Sequence, residues 1–297
     1  MTERAERIAA VGYDYAAHDL EAVEACNLCG STDLDTLAEH DRYGYPATFR
    51  MCRRCGLGFL SPRLTASEYG AFYESVYRPL VSAYHGRRID AETVQVDQRG
   101  YAEELVAFLR QTLPRSPATV LDVGGSTGTV AAAVRDAFGT QATVLDPAPD
   151  ELAVAAANGM ETVAGFAEDF DPGARRWDLV LLCQTIDHLL DLRATLASLR
   201  RLTADDGHAF VDVLDLMIAA RNVGSVEGAV KIDHPYSLTR ETALAFFEQA
   251  GFAPLAERLS GDGHWGFVLL ASDPSEPDWE QLHRVAEGYR AELEVLR

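Results

Sequence analysis

Four of the chain's five cysteines stand in two Cys-x-x-Cys pairs, Cys26 and Cys29 in CNLCG and Cys52 and Cys55 in CRRCG, with 22 residues between the pairs. Two close pairs at that separation match a tetrahedral four-thiolate zinc site. A glycine follows each pair (Gly30, Gly56) and lets the chain turn so that backbone amides point at the sulfurs. Two disulfides or two redox motifs are the competing readings. The first is disfavoured in a cytosolic chain, and neither pair follows the strand–helix pattern that suits the second. Four protein thiolates leave a zinc ion no open position, so its expected role is structural. Cys183, in the apolar run LVLLCQ, reads as a buried core thiol.

A second group of residues could hold a nucleotide-like ligand. Asp122-Val123-Gly124-Gly125-Ser126-Thr127-Gly128 follows an apolar run, and glycines let a backbone turn tightly and approach a ligand closely. Asp146 ends the next apolar run 24 residues after Asp122, where a carboxylate can accept both hydroxyls of a ribose. The dinucleotide fingerprint G-x-G-x-x-G fits no register of this loop, because Ser126 and Thr129 fall at required glycines.

These groups need a scaffold. After Pro117, short apolar runs alternate with helical stretches. TVLDVG, ATVLDP, ETVAG, DLVLLCQ and GHAFVDVLD predict five strands, with helices from about Thr127 to Phe138 and from about Asp150. TRETALAFFEQAG predicts a further helix, and FAPLAERLS and GHWGFVLLAS a closing pair of strands. The fold class expected is α/β, a Rossmann-like doubly wound sheet, mostly parallel, with its last strand antiparallel. Residues 1–20 read as a tail, 21–64 as a zinc-ribbon-like module, 65–116 as a helical lid, 117–272 as the ligand-binding domain and 273–297 as an amphipathic helix. That last helix offers a face to the body or to a second copy, so a homodimer is one expectation. With 26 Lys and Arg against 46 Asp and Glu, the formal charge is −20, and a surface this acidic repels nucleic acid and anionic lipid. No run reaches the ~18 apolar residues of a membrane span, and MTERAERIAA lacks an apolar signal core, so the expected location is cytoplasmic.

At LDVGGSTG the chain resembles the class I S-adenosylmethionine-dependent methyltransferases, whose first motif runs LDxGxGxG; Ser126 stands at the family's middle glycine. The resemblance spans roughly residues 117–272 and includes LRRLTADDGHAFVDV and the terminal strand pair. It implies that Asp122 and the loop at Gly124, Gly125 and Gly128 hold the methionyl end of S-adenosylmethionine. It implies Asp146 for the ribose, Phe166 and Ala167 beside the adenine, and Gln184 at the end of the fourth strand next to the cofactor.

Methyl transfer is an in-line displacement that depends on alignment, and a hydroxyl or acidic carbon nucleophile also needs a base. Thr185-Ile186-Asp187-His188 and Lys231-Ile232-Asp233-His234-Pro235-Tyr236 offer such groups. His234 lies in an insertion after the fifth strand, where loops build substrate sites. It is the expected base, with Asp233 orienting it and Tyr236 positioning the substrate. His188 stands where the family often carries a histidine that caps the cofactor pocket. The four-cysteine module narrows the likeness to zinc-containing methyltransferases of deoxysugar and natural-product biosynthesis, which carry H-E-H-x-x-Y in this insertion. Here Ile232 and Asp233 replace the first two residues, and Tyr236 falls one place early. The resemblance therefore implies a small-molecule acceptor, a sugar nucleotide or another secondary metabolite, methylated on oxygen or nitrogen. Other readings are an RNA methyltransferase gripping its substrate through the zinc module, an aminocarboxypropyl transferase or other non-methylating S-adenosylmethionine enzyme, and a binding module with a vestigial cofactor site.

Overall fold

The computed structural model describes residues 2–89 and 91–297. Its first part holds α1 (Glu3–Ala9), β1 (Leu20–Glu21), β2 (Leu34–Ala38), β3 (Phe49–Cys52), β4 (Gly58–Leu60) and β5 (Arg63–Leu64). Three helices follow: α2 (Ala66–Ser75), α3 (Tyr77–His85) and α4 (Ala91–Thr112). The alternating part runs β6 (Thr119–Val123), α5 (Thr129–Phe138), β7 (Gln141–Asp146), α6 (Pro149–Ala157), β8 (Glu161–Ala164) and β9 (Trp177–Leu182). It continues with α7 (Leu192–Leu202), β10 (Thr203–Leu214), α8 (Leu216–Val223), α9 (Val226–Ala229) and β11 (Tyr236–Ser237). The chain closes with α10 (Arg240–Ala250), β12 (Phe252–Leu259), β13 (His264–Ala271) and α11 (Trp279–Val295).

Seven strands form the central sheet in the order β12-β13-β10-β9-β6-β7-β8. The ladders from β10 to β8 are parallel, and β13 inserts antiparallel between β10 and β12. Alternation along the strands sorts the core. Val120, Leu179, Leu181 and Phe210 pack with α4, α5 and α6. Leu121, Val123, Val180, Leu182 and Val211 pack with α7 and α10 on the other face. Each such fully buried aliphatic side chain contributes about 1.5–3 kcal/mol, which is why the apolar runs dictate the sheet. Two boundaries differ from expectation. Helix α5 starts at Thr129 because Gly128, with φ +74°, is left-handed and cannot belong to it. Strand β10 begins at Thr203, with a register irregularity between Thr203 and His208 that absorbs the polar Asp205-Asp206-Gly207 stretch.

A second sheet, β11-β4-β3-β2, joins the cysteine-bearing hairpin to the insertion after β10: Tyr236 pairs with Phe59 and Ser237 with Gly58. Helix α11 buries Leu282, Ala286 and Leu293 against the body. Among the described residues no helix is long and apolar enough to cross a membrane.

Candidate active site

The cysteines come together on two tight turns. The Gly30 amide donates to the Cys26 carbonyl at 2.8 Å and the Gly56 amide to the Cys52 carbonyl at 2.9 Å. The Cys26 and Cys55 sulfurs lie 3.4 Å apart, Cys29 and Cys52 3.5 Å, and all four within 4.8 Å of one another. These separations far exceed a disulfide bond of about 2.05 Å. They approach the roughly 3.8 Å expected between thiolates bound at 2.3 Å around one tetrahedral ion. Cys26, Cys52 and Cys55 are buried together with Leu28 and Leu57 in the core that also contains Trp177.

At the mouth of the central sheet, β6 delivers the glycine loop. Gly124 takes φ +70° and Ser126 φ +51°, left-handed values that fold the loop back on itself. A side-chain carbon on Gly124 would meet Thr185 Cγ2 at 2.9 Å, so the loop touches the turn after β9. A carbon on Gly125 would meet the Asp122 carboxyl carbon at 2.7 Å. Asp122 is buried and neither carboxylate oxygen meets a donor in good geometry. Burial pushes its carboxyl up to about 7, with Asp146 and Asp212 adding to the effect. Asp146 accepts the Ser126 amide at 2.9 Å on one oxygen and the Ala148 amide at 2.8 Å on the other. Each carboxylate oxygen keeps a second lone pair, so pinning the loop does not exhaust it. The Ser126 hydroxyl bonds Glu151, whose other oxygen takes Arg78 of α3 at 3.0 Å. Gln184 is left-handed (φ +49°) and its amide donates to Asp212 Oδ1 at 2.6 Å. Phe166 is 58% exposed just after β8, whereas Ala167 is buried in the core. Gly128 closes the loop at the start of α5.

Beside Thr185, the turn after β9 meets the insertion after β10. The rings of His188 and His234 cross edge to face with centroids 4.7 Å apart. His188 Nδ1 lies 2.6 Å from the Tyr73 hydroxyl and 3.0 Å from the Asp233 carbonyl, to which Tyr73 also donates at 2.8 Å. The pattern that satisfies all three groups puts the proton on Nδ1 and leaves His188 Nε2 as a free acceptor. Asp233 Oδ2 sits 3.5 Å from His234 Nε2, whereas the nearest carboxylate to Nδ1 is Asp187 Oδ2 at 4.0 Å. Burial holds His234 well below the ordinary imidazole value and His188 below it too. It pushes Asp187 up to about 7.

The sequence brings these groups into one place only through distant supports. Asp41 accepts the Ile232 amide at 3.0 Å, the Arg42 amide donates to the Val230 carbonyl at 2.9 Å, and the Tyr69 hydroxyl to the Ile232 carbonyl at 2.9 Å. The Leu60 amide donates to the Pro235 carbonyl at 3.0 Å. The insertion is thereby clamped between the cysteine module and the lid.

Two expectations change with this geometry. Asp233 shares the Nε2 side of His234, so the carboxylate placed to orient the ring through Nδ1 is Asp187, a residue visible in the motif but given no role from sequence. Tyr236 is 1% exposed in β11 and its hydroxyl donates to the Leu190 carbonyl at 3.2 Å, so it is not among the groups gathered around the histidines. Tyr73 and Tyr43 take that side; the Tyr43 hydroxyl reaches Asp233 Oδ1 at 3.4 Å. Tyr73 stands in the stretch read as the lid and Tyr43 in the cysteine module, and neither carried a sequence signal that set it apart from a core aromatic.

No curated protein matches the sequence. The structure is similar to crystal structures of 1,6-didemethyltoxoflavin-N1-methyltransferase from Burkholderia thailandensis (TM-score 0.53, 20% identity, 73% of this chain and 96% of that one) and of the PH0226 protein from Pyrococcus horikoshii OT3 (0.52, 17%, 59% and 92%). It is also similar to the mitomycin 7-O-methyltransferase MmcR (0.50, 17%, 69% and 60%). At these identities the likeness establishes the fold, a Rossmann-like methyltransferase sheet with an inserted antiparallel strand. Residues 94–257, from near the start of α4 into β12, match the family described as Methyltransferase domain. With more than half of its length inside that match, the chain belongs to the methyltransferase-domain family.

Proposed function

We propose that the protein transfers a methyl group from S-adenosylmethionine to a small-molecule acceptor and carries one structural zinc ion on Cys26, Cys29, Cys52 and Cys55. The observation that carries the cofactor assignment is the set of buried carboxylates around the glycine loop. Neither Asp122 oxygen meets a donor in good geometry, and Asp146 and Asp212 lie near enough to raise it. A pyrophosphate would add anions to this set; a sulfonium and an ammonium would relieve it. The Burkholderia enzyme was crystallised with S-adenosylhomocysteine and its small-molecule substrate, which agrees with this reading.

In this assignment Asp122 and the backbone of Gly124, Gly125 and Gly128 hold the methionyl end. Asp146 takes the ribose hydroxyls, and Phe166 and Ala167 border the adenine next to Gln184. When bound, the cofactor supplies an electrophilic methyl group. The chain's own part is to align the acceptor and remove its proton. His234 is neutral because burial disfavours its charged form, and Asp187 faces its Nδ1 edge. Tyr73 and Tyr77 meet the His188 ring edge to face, with ring centroids at 5.6 and 6.2 Å.

Calorimetry tests the cofactor. S-adenosylhomocysteine should bind and NAD should not. Asp146→Ala should weaken binding by about 1.5–3 kcal/mol, the worth of a charge-assisted hydrogen bond. Equal affinity for NAD would refute the assignment. The pH profile tests the site. Asp187 must be ionised to support an imidazolium, and with a carboxyl near 7 it loses its charge as pH falls. Thus kcat/KM should drop on the acid side with a limb centred near pH 7, while His234 stays neutral throughout. Asp187→Asn should abolish that limb and lower the plateau; an unchanged limb would assign it to another group.

A further inference from the structure

Of the chain's 26 lysines and arginines, one alone is a lysine, Lys231. Arginine serves elsewhere, as in Arg240–Glu257, Arg221–Glu292 and Arg53–Asp35. A guanidinium is broad and keeps its proton, whereas an amine is compact and exchanges one. The chain thus places its single side-chain amine in the segment that faces the two histidines. Lys231 Nζ lies 3.4 Å from His234 Nε2, the nitrogen that Asp233 Oδ2 approaches to 3.5 Å. Lys231 is partly buried, and desolvation holds its ammonium below the ordinary lysine value, with Asp233 and Asp187 opposing and Arg42 reinforcing the shift. His188, Asp233 and His234 offer donor atoms within 4.8 Å of one another, a spacing that could suit a metal ion. The lysine ammonium already supplies a cation at that point.

We propose that Lys231 is a catalytic residue that binds the acceptor's oxygen as an oxyanion beside His234, and that the acceptors are therefore planar phenols or enols. This rests on the methyltransferase reading above. Three features select that class. An ammonium beside the base repels a protonated amine and attracts an oxyanion. An imidazole held below its usual pKa is too weak a base for an aliphatic hydroxyl and suits a more acidic one. The rings of Tyr73 and Tyr77 beside His188 offer aromatic walls to a flat acceptor. In the reaction the acceptor O–H bond breaks, its proton passes to His234 Nε2, and its electron pair stays on the oxygen facing Lys231 Nζ. That pair forms the O–CH3 bond as the methyl–sulfur bond breaks, the latter's electrons remaining on sulfur. The sulfonium charge is thereby cancelled, and the proton on His234 leaves to water.

The test uses the full-length protein labelled with 15N-lysine, whose spectrum contains one side-chain amine. S-adenosylhomocysteine is first titrated in by calorimetry; failure to bind at that stage sinks the methyltransferase reading and this proposal with it. To the binary complex are added 4-nitrophenol, 4-nitrocatechol or 7-hydroxycoumarin at a pH where the free phenol is protonated. The expected result is a phenolate absorption band from at least one probe, with a shift of the Lys231 Nζ resonance. Lys231→Met should lose the band and weaken the probe at least about tenfold, as loss of a charge-assisted contact implies, with S-adenosylhomocysteine affinity kept. Lys231→Arg should recover part of it, which shows that a fold defect is not the cause. No phenolate band from any probe with cofactor product bound, or an undiminished band in Lys231→Met, overturns the proposal. So does metal analysis finding a second ion per chain that His188→Ala removes.

Discussion

Replacing His234 by alanine should lower turnover by roughly 10²–10⁴-fold, the usual worth of a general base, while S-adenosylhomocysteine still binds as in the wild type. The ring is 12% exposed at its side chain and lies on the insertion rather than on the glycine loop, so its loss removes a proton acceptor without touching the cofactor's contacts. His188→Ala should behave differently. His188 bonds Tyr73 and the Asp233 carbonyl, and its neighbour Thr185 packs on Gly124. Cutting it should loosen both lid and loop, so cofactor affinity, stability and rate should fall together. Steady-state kinetics and calorimetry on the two variants separate these outcomes. Full turnover in His234→Ala, with turnover lost and cofactor affinity intact in His188→Ala, would exchange the two roles.

Replacing Cys52 or Cys26 by serine should cost the protein its zinc and much of its folded structure. Zinc bound by four thiolates contributes about 10–16 kcal/mol to the folding of small zinc peptides, comparable to or larger than the whole stability of a typical domain. Here the damage should spread beyond the hairpin, because Cys26, Cys52 and Cys55 share one core with Trp177 and with Leu196 and Leu199 of α7. The same module carries Asp41 and Arg42, which clamp the segment bearing His234. Metal analysis should give about one zinc per wild-type chain, and thermal melting should show the serine variants strongly destabilised. Protein prepared without chelator that contains no zinc would refute the site.

Much of the scaffold was legible because it rests on local signals. The runs TVLDVG and DLVLLCQ are apolar on both faces, and only a parallel sheet under two helical layers satisfies such strands. The glycine loop was legible because left-handed turns leave a mark in composition, although Ser126 shows that the middle one of these positions accepts a side chain, here bonded to Glu151. The cysteine cluster was legible because each Cys-x-x-Cys-Gly turn is local and marks its own spacing in the sequence. Asp187 and Lys231 stood in the quoted motifs but received no role, for the opposite reason. A carboxylate or an amine in a motif reads the same whether it is solvated or buried, and its chemistry depends on what desolvates it.

The residues alone determined that a glycine loop would stand at the end of the first strand with Asp146 across from it, and that two Cys-x-x-Cys pairs would meet. Backbone period and turn chemistry act over a few residues, so a linear reading reaches them. Only the tertiary structure decided which groups surround His234. Asp41 and Tyr69, far from Ile232 in sequence, hold its amide and carbonyl, and β11 pairs the insertion to the cysteine hairpin. That arrangement turns Tyr236 inward, brings Tyr73 to His188 and sets Lys231 beside His234. Pairings across such separations are chosen by burial and by hydrogen bonds that exist only once both partners have left water.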